Sequence, residues 1–381
     1  MAPPTQRQIA EKLGLSPATV SLALRDSPMI AQATRALVRA AVAEAGYVPN
    51  VAASALRTGR TRIIGVSFHN IAHQFFAEML IAIEAELAVD GVAVFINNHG
   101  EDPASLARFV ASLAAHGAEG LLVSPPPGAT PAIFAPLRDR GAPVVYVSRR
   151  LREDAHADYV VNADAVAIRR AVARLLETGR RRLALLGGMA GTTVAEDRAD
   201  SFFAALAEAG LPAGPELWLQ CRPRLAEGAA VARRAMAAAP APDGLVCFND
   251  LVAFGAMNTL RALGLEPGLH VGVVGVGGTD EAAAFHPGLT TVLDNPASIG
   301  RTAAGMLRAR IDAPDAPPRH ETLDPKLVIR GSCRSAPPQA DAPEPAPQQA
   351  SPDPVPEQAS PDPAPPRPIT PGGARAAPDC A

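Results

Sequence analysis

Apolar positions along this chain follow two rhythms: a short helical one at the amino end, then a long alternation of strands and helices. Over residues 5–24 the run TQRQIAEKLGLSPATVSLAL places Ile9, Ala10 and Leu13 at helical spacing, then Val20 and Ala23 as the inward positions of a second segment. Thr5 reads as the cap of a first helix ending near Leu13, and Gly14 as a turn that needs a positive φ. Ser16 reads as the next N-cap, with Pro17 opening a second helix that runs to about Leu24. A third helix over 34–45 stops at Gly46 and turns Leu37, Val38, Ala41 and Val42 inward.

From Arg62 the texture changes. IIGVSF (63–68), VAVFINN (92–98), GLLVSP (120–125), PVVYVS (143–148), RRLALLGG (181–188), GLVCFN (244–249) and VGVVGV (271–276) read as short buried strands. Between them lie amphipathic helices such as FAEMLIAIEAELAVDG (76–91) and PASLARFVASLAAHG (103–117). Val/Leu/Ile strands alternating with helices predict doubly wound parallel sheets. The units suffice for two sheets with a break near 160–164, hence two α/β lobes around a cleft that suits a small molecule.

The predicted organisation is therefore an all-α helix-turn-helix head over 1–49, a hinge helix and linker over 50–61, and a two-lobed α/β core over 62–334. Lobe 1 takes 62–161 with 293–322, and lobe 2 takes 162–292 with 323–334. Residues 335–381 hold 15 of the 39 prolines and repeat ASPDP at 350 and 359, so a disordered Pro-rich tail is expected there.

Charge sharpens this division. The whole chain carries −3, yet residues 1–62 hold eight basic residues against three acidic ones, a net charge of +5. A basic head on a near-neutral body is the footprint of a nucleic-acid-binding module. Cys221, Cys247, Cys333 and Cys380 have no metal-ligand spacing, so neither a zinc site nor a disulfide framework is expected. The opening MAPPTQRQIAEK lacks an apolar h-region and no apolar run is long enough to span a bilayer; a cytoplasmic protein, with no membrane association, is expected.

IAEKLGLSPATVS at 9–21, GYVPNVAASAL at 46–56, FNDLVAFGAM at 248–257, LTTV at 289–292 and the closing LVIRGSC at 327–333 together resemble the LacI/GalR family of bacterial transcriptional regulators, from about residue 5 to 334. The resemblance implies a helix-turn-helix head joined to a periplasmic-binding-protein-like core. Its expected function is sequence-specific DNA binding, with repression controlled by a small-molecule effector held between the lobes. Its expected partners are a near-palindromic duplex operator, that effector, and a second copy of the chain.

By that resemblance the second helix enters the major groove. Ser16, Thr19 and Ser21 would meet phosphates and Thr5 is a further DNA-contacting position, while Pro17, Ala18 and Leu22 fall where bases are read and Arg25 adds a cation. Pro17, Ala18 and Leu22 make no bidentate base contact, so apolar contact with thymine methyls has to substitute. Asn50 to Thr58 matches the hinge helix, with Leu56 as a wedge in the minor groove and Arg57 beside it.

In the core the resemblance assigns effector contacts to Phe75, Arg149, Arg198, Arg222 and Asn249. Many sugar-binding relatives carry paired acids where this chain has Gly277 and Gly278, and an acid where it has Arg222. Loss of acids and gain of a guanidinium point to an anionic effector. Two rivals follow from the core alone, an α/β enzyme and a transport-type solute-binding protein. GGMAG (187–191) and GVGG (275–278) do not supply a dinucleotide-binding G-x-G-x-x-G, and no catalytic arrangement or cofactor site stands out. His69, His73 and His99 read as dispersed and solvated.

Overall fold

The computed structural model describes residues 4–47 and 59–335. The positions read as hinge contacts (Asn50, Leu56, Arg57) and the tail after Ser335 lie outside the described residues.

Three helices form the head: α1 (Gln6–Leu13), α2 (Pro17–Leu24) and α3 (Gln32–Ala45). Local chemistry sets their ends. Thr5 and Gln8 form a reciprocal capping box, Ser16 Oγ accepts the Thr19 N–H at 3.0 Å, and Gly14 turns the chain at φ 66°. Ile9, Ala10, Val20, Ala23, Val38 and Ala41 make the buried centre, with Leu13 and Val42 packed against it. Full burial of Val20 or Val38 stabilises by roughly 1.5–3 kcal/mol each. Leu37 departs from the predicted inward set: it is 51% exposed, because Val38, Ala41 and Ala45 already occupy the inward arc.

The core holds two six-stranded sheets. The first runs β2-β1-β3-β4-β5-β11, from β1 (Ile63–Phe68), β2 (Ala93–Asn98), β3 (Gly120–Val123), β4 (Val144–Val147), β5 (Asp158–Asn162) and β11 (His320–Leu323), all parallel. The second runs β7-β6-β8-β9-β10-β12, from β6 (Leu183–Leu186), β7 (Trp218–Leu219), β8 (Gly244–Cys247), β9 (Gly272–Gly277), β10 (Thr290–Leu293) and β12 (Lys326–Val328). β12 pairs antiparallel with β10, an edge that the all-parallel expectation did not contain. Helices cover both faces of each sheet, which accounts for the uninterrupted burial of β3, β4, β6 and β8.

The chain passes between the lobes three times. It leaves β5 for the helix Asp164–Glu177 of lobe 2, leaves β10 for the helix Pro296–Asp312 that packs back on lobe 1, and leaves β11 for β12. Loops at the carboxyl ends of the parallel strands face the cleft, as ligand-binding loops do in open α/β sheets.

Candidate nucleic-acid interface and ligand cleft

In the head, Thr5, Ser16, Pro17, Ala18 and Arg25 are exposed, while Thr19, Ser21 and Leu22 are half-buried. Val20 and Ala23 hold α2 from behind, so one face of this helix is free along its length. Arg25 folds back on its own helix end, donating from Nε to the Ser21 carbonyl at 3.1 Å and from Nη2 to Ser21 Oγ at 3.3 Å. Arg7 pairs with Glu11, Lys12 with Glu44, and Arg35 and Arg39 with Asp26. Among the described head residues, Arg25 is thus the cation with no carboxylate in range.

Between the lobes lies a cavity of about 110 Å³. Of the five residues assigned to effector contact, Phe75, Arg149, Arg198 and Asn249 line it. Arg222 does not: it is exposed, its N–H donates to Glu227 Oε2 at 2.8 Å, and its neighbour Pro223 faces the cavity instead. The guanidinium on which the anionic effector rested is therefore not among the groups lining this cavity.

The two remaining arginines are already neutralised inside the protein. Arg149 is 7% exposed and donates through both terminal nitrogens to Glu101, at 2.8 and 2.9 Å. Arg198 donates from Nε to Asp164 at 2.6 Å, lies 3.6 Å from Asp294, donates to the Phe248 carbonyl and covers the Phe248 ring. Burial raises the Asp164 carboxyl against the pull of Arg198, and it pushes Asp294 up to about 7.

Gly277 and Gly278 also have a local explanation. The Asp250 carboxylate tucks beneath them and accepts from the N–H of Gly278 (2.7 Å) and Thr279 (3.0 Å) and from Thr291 Oγ1 (2.6 Å). A Cβ on Gly275 would stand 2.4 Å from Asp250 Oδ1, so the glycine strip makes room for an acid supplied by the preceding helix, Asp250–Ala262.

The first lobe's wall contradicts the reading of solvated, dispersed histidines. His69 and His73 pack edge-on to Phe76, His69 at 4.6 Å, and the His99 ring lies 6.3 Å from His69. Burial lowers the pKa of all three. Sequence reasoning missed their convergence because β1 and β2 bring it about, not their spacing. It also missed Asp164 and Asp294, which flank two of the crossings between lobes. Buried polar atoms without a partner include His69 Nδ1, Asn162 Oδ1 and Thr279 Oγ1, and all three residues line this cavity.

Two features bear on other chemistries. Among the described residues, no group of three or more His, Cys, Asp or Glu could hold a metal ion, and no helix is long and apolar enough to cross a membrane.

Comparison with known proteins matches both parts. Residues 5–50 match the description "Bacterial regulatory proteins, lacI family", and 172–333 match "Periplasmic binding protein-like domain". The chain is 28% identical over 343 residues to the maltose regulon regulatory protein MalI of Escherichia coli (strain K12), covering 85% of this chain and 97% of that one. It is 27% identical over 336 residues to the transcriptional repressor PurR of Yersinia pestis bv. Antiqua, covering 87% and 98%. Among solved structures, the regulator CelR in complex with cellobiose aligns with TM-score 0.66 and 27% identity over 86% of this chain and 99% of that one. The lac repressor dimer on its operator shares the fold, with TM-score 0.78 at 23% identity over 87% and 100%.

Proposed function

Because the chain belongs to the lacI family of bacterial regulatory proteins, we propose that it represses transcription by holding operator DNA through α2 and is controlled by a small molecule between its lobes. One observation carries the reading: a capped helix with a free outer face stands in the same chain as a cleft lined from both lobes. Thr5, Ser16, Thr19 and Ser21 serve phosphates, Pro17, Ala18 and Leu22 meet base edges, and Arg25 swings from Ser21 to the duplex. Asn50, Leu56 and Arg57 supply the minor-groove contacts.

A homodimer on a near-palindrome suits this role, since two linked heads gain in effective concentration. Ile81, Val89 and Ile96, exposed by 69%, 81% and 49% on lobe 1 beside the edge strand β2, offer a face for a second copy. Phe75, Arg149, Arg198 and Asn249 hold the effector. With both cleft arginines engaged by carboxylates, an uncharged, hydroxyl-bearing ligand is favoured over an anionic one, in line with the cellobiose bound by CelR. The protein works in the cytoplasm and carries out no catalysis.

The test is selection of duplex DNA from a random pool by the full-length protein, followed by mobility shifts with metabolites. A recovered near-palindrome, bound with affinity falling steeply as salt rises, is expected. A well-folded protein that enriches no sequence overturns the reading.

A further inference from the structure

The helix Gln74–Ala88 of lobe 1 is capped by His73, whose Nδ1 accepts the Phe75 N–H at 3.2 Å. The helix Asp250–Ala262 of lobe 2 is capped by Asn249, whose Oδ1 accepts the Val252 N–H at 3.0 Å. Each cap fixes the character of the atom left over. An amide whose oxygen faces a backbone N–H presents its NH2 outward, and a neutral imidazole whose Nδ1 accepts carries its proton on Nε2. Burial lowers the His73 pKa, although the Asp250 carboxylate opposes this, so the ring is neutral at ordinary pH. The two leftover atoms, His73 Nε2 and Asn249 Nδ2, face each other across the cleft at 3.2 Å. Two donors at that distance form no hydrogen bond.

His99 shows what a completed arrangement looks like. Its Nδ1 likewise accepts a backbone N–H two residues on, from Glu101 at 3.2 Å, and its Nε2 meets the Ser124 carbonyl at 3.0 Å. The same local geometry at His73 ends on an amide nitrogen instead of an oxygen. The other tautomer would mend the contact between lobes but break the cap on Phe75, so either state leaves one donor opposed to another.

Resting on the effector reading above, we infer that His73 and Asn249 are a two-lobed donor pair for one acceptor oxygen of the effector. A hydroxyl or carbonyl oxygen seated beside the pair, within reach of both nitrogens, accepts a hydrogen bond from each and ties the lobes through the ligand. A hydroxyl there can in turn donate, and Asn162 Oδ1 and Thr279 Oγ1, on residues lining the same cavity, lack partners. His73 thereby becomes a ligand-contacting residue that the family resemblance did not assign, and the wall it stands on selects for oxygen acceptors.

The first test needs no ligand. In the 15N-labelled full-length protein at pH 8, long-range ring correlations should show His73 as the Nε2–H tautomer, its signals identified by their loss in H73Q. An Nδ1–H tautomer overturns the inference and leaves the effector reading standing. The second test uses ribose, cellobiose and their aldonic acids as probes in thermal-shift and calorimetric titrations. Any probe that stabilises the wild-type chain should bind H73F roughly tenfold or more weakly, with H73Q, which keeps a donor, less affected. Equal binding by H73F overturns the inference. Metabolites that never alter DNA affinity count instead against the effector reading.

Discussion

The two walls of the cleft are built on opposite electrostatic plans. Lobe 2 brings Asp164, Arg198 and Asp250, all buried, and Asp294 joins them where the chain leaves β10 for lobe 1; each is tied into ion pairs or multiple hydrogen bonds. Lobe 1 brings histidines held neutral by burial, against phenyl rings, with His69 Nδ1 unpartnered. The charges of lobe 2 are internally satisfied, as is Arg149 of lobe 1, whereas Thr279 Oγ1 of lobe 2 and His69 Nδ1 of lobe 1 both lack a partner.

Breaking the satisfied wall should have the largest effect. Arg198→Ala leaves Asp164 and Asp294 buried without their counterion and is expected to cost about 3–5 kcal/mol in urea unfolding.

The pH dependence of stability comes next. Asp294 is raised from the ordinary carboxylate value to about 7, so its contribution is complete below about pH 4 and is lost as pH rises through 7. The shift corresponds to something on the order of 4 kcal/mol. D294N should flatten that part of the stability profile; an unchanged slope would place the titration elsewhere. The histidines act with the opposite sign. Their lowered pKa values give stability that is present above pH 6.5 and lost as pH falls below it, so H73Q should soften the acid limb.

Asp250→Ala strips the acceptor from two backbone N–H groups and Thr291, with an expected loss of about 2 kcal/mol. The smallest effect belongs to the rim, where Arg152 of lobe 1 pairs with Asp197 of lobe 2. Both are substantially exposed, so Arg152→Ala should cost less than about 1 kcal/mol and less again in high salt.

Legibility in the sequence followed the range of the interactions. Thr5, Gly14, Ser16, Pro17 and Gly46 act on their own turn of chain, so the head could be read before any tertiary contact was known. Long Val/Leu runs revealed most inner strands, whereas β5, whose burial alternates, the inner strand β10, and the short edge strands β7 and β11 were missed. The cleft was legible only in part. Phe75, Arg149, Arg198 and Asn249 came from resemblance, and all four line the cavity. Arg222 does not line it, since in the loop before Leu225 it is the neighbouring Pro223 that faces the cavity. His73, Asp164 and Asp294 were invisible because their partners stand 34 to 176 residues away.

The threefold passage of the chain between lobes has a consequence for how the molecule is born. Ile299, Ala303 and Leu307, on the helix Pro296–Asp312, complete a hydrophobic interior whose buried members outside that helix, Ile64 to Val160, were translated more than a hundred residues earlier. On the ribosome the first lobe must therefore wait, with apolar surface uncovered, until the second has emerged. Arrested nascent chains ending before residue 296 should engage trigger-type chaperones, and chains long enough to free that helix from the exit tunnel should let go.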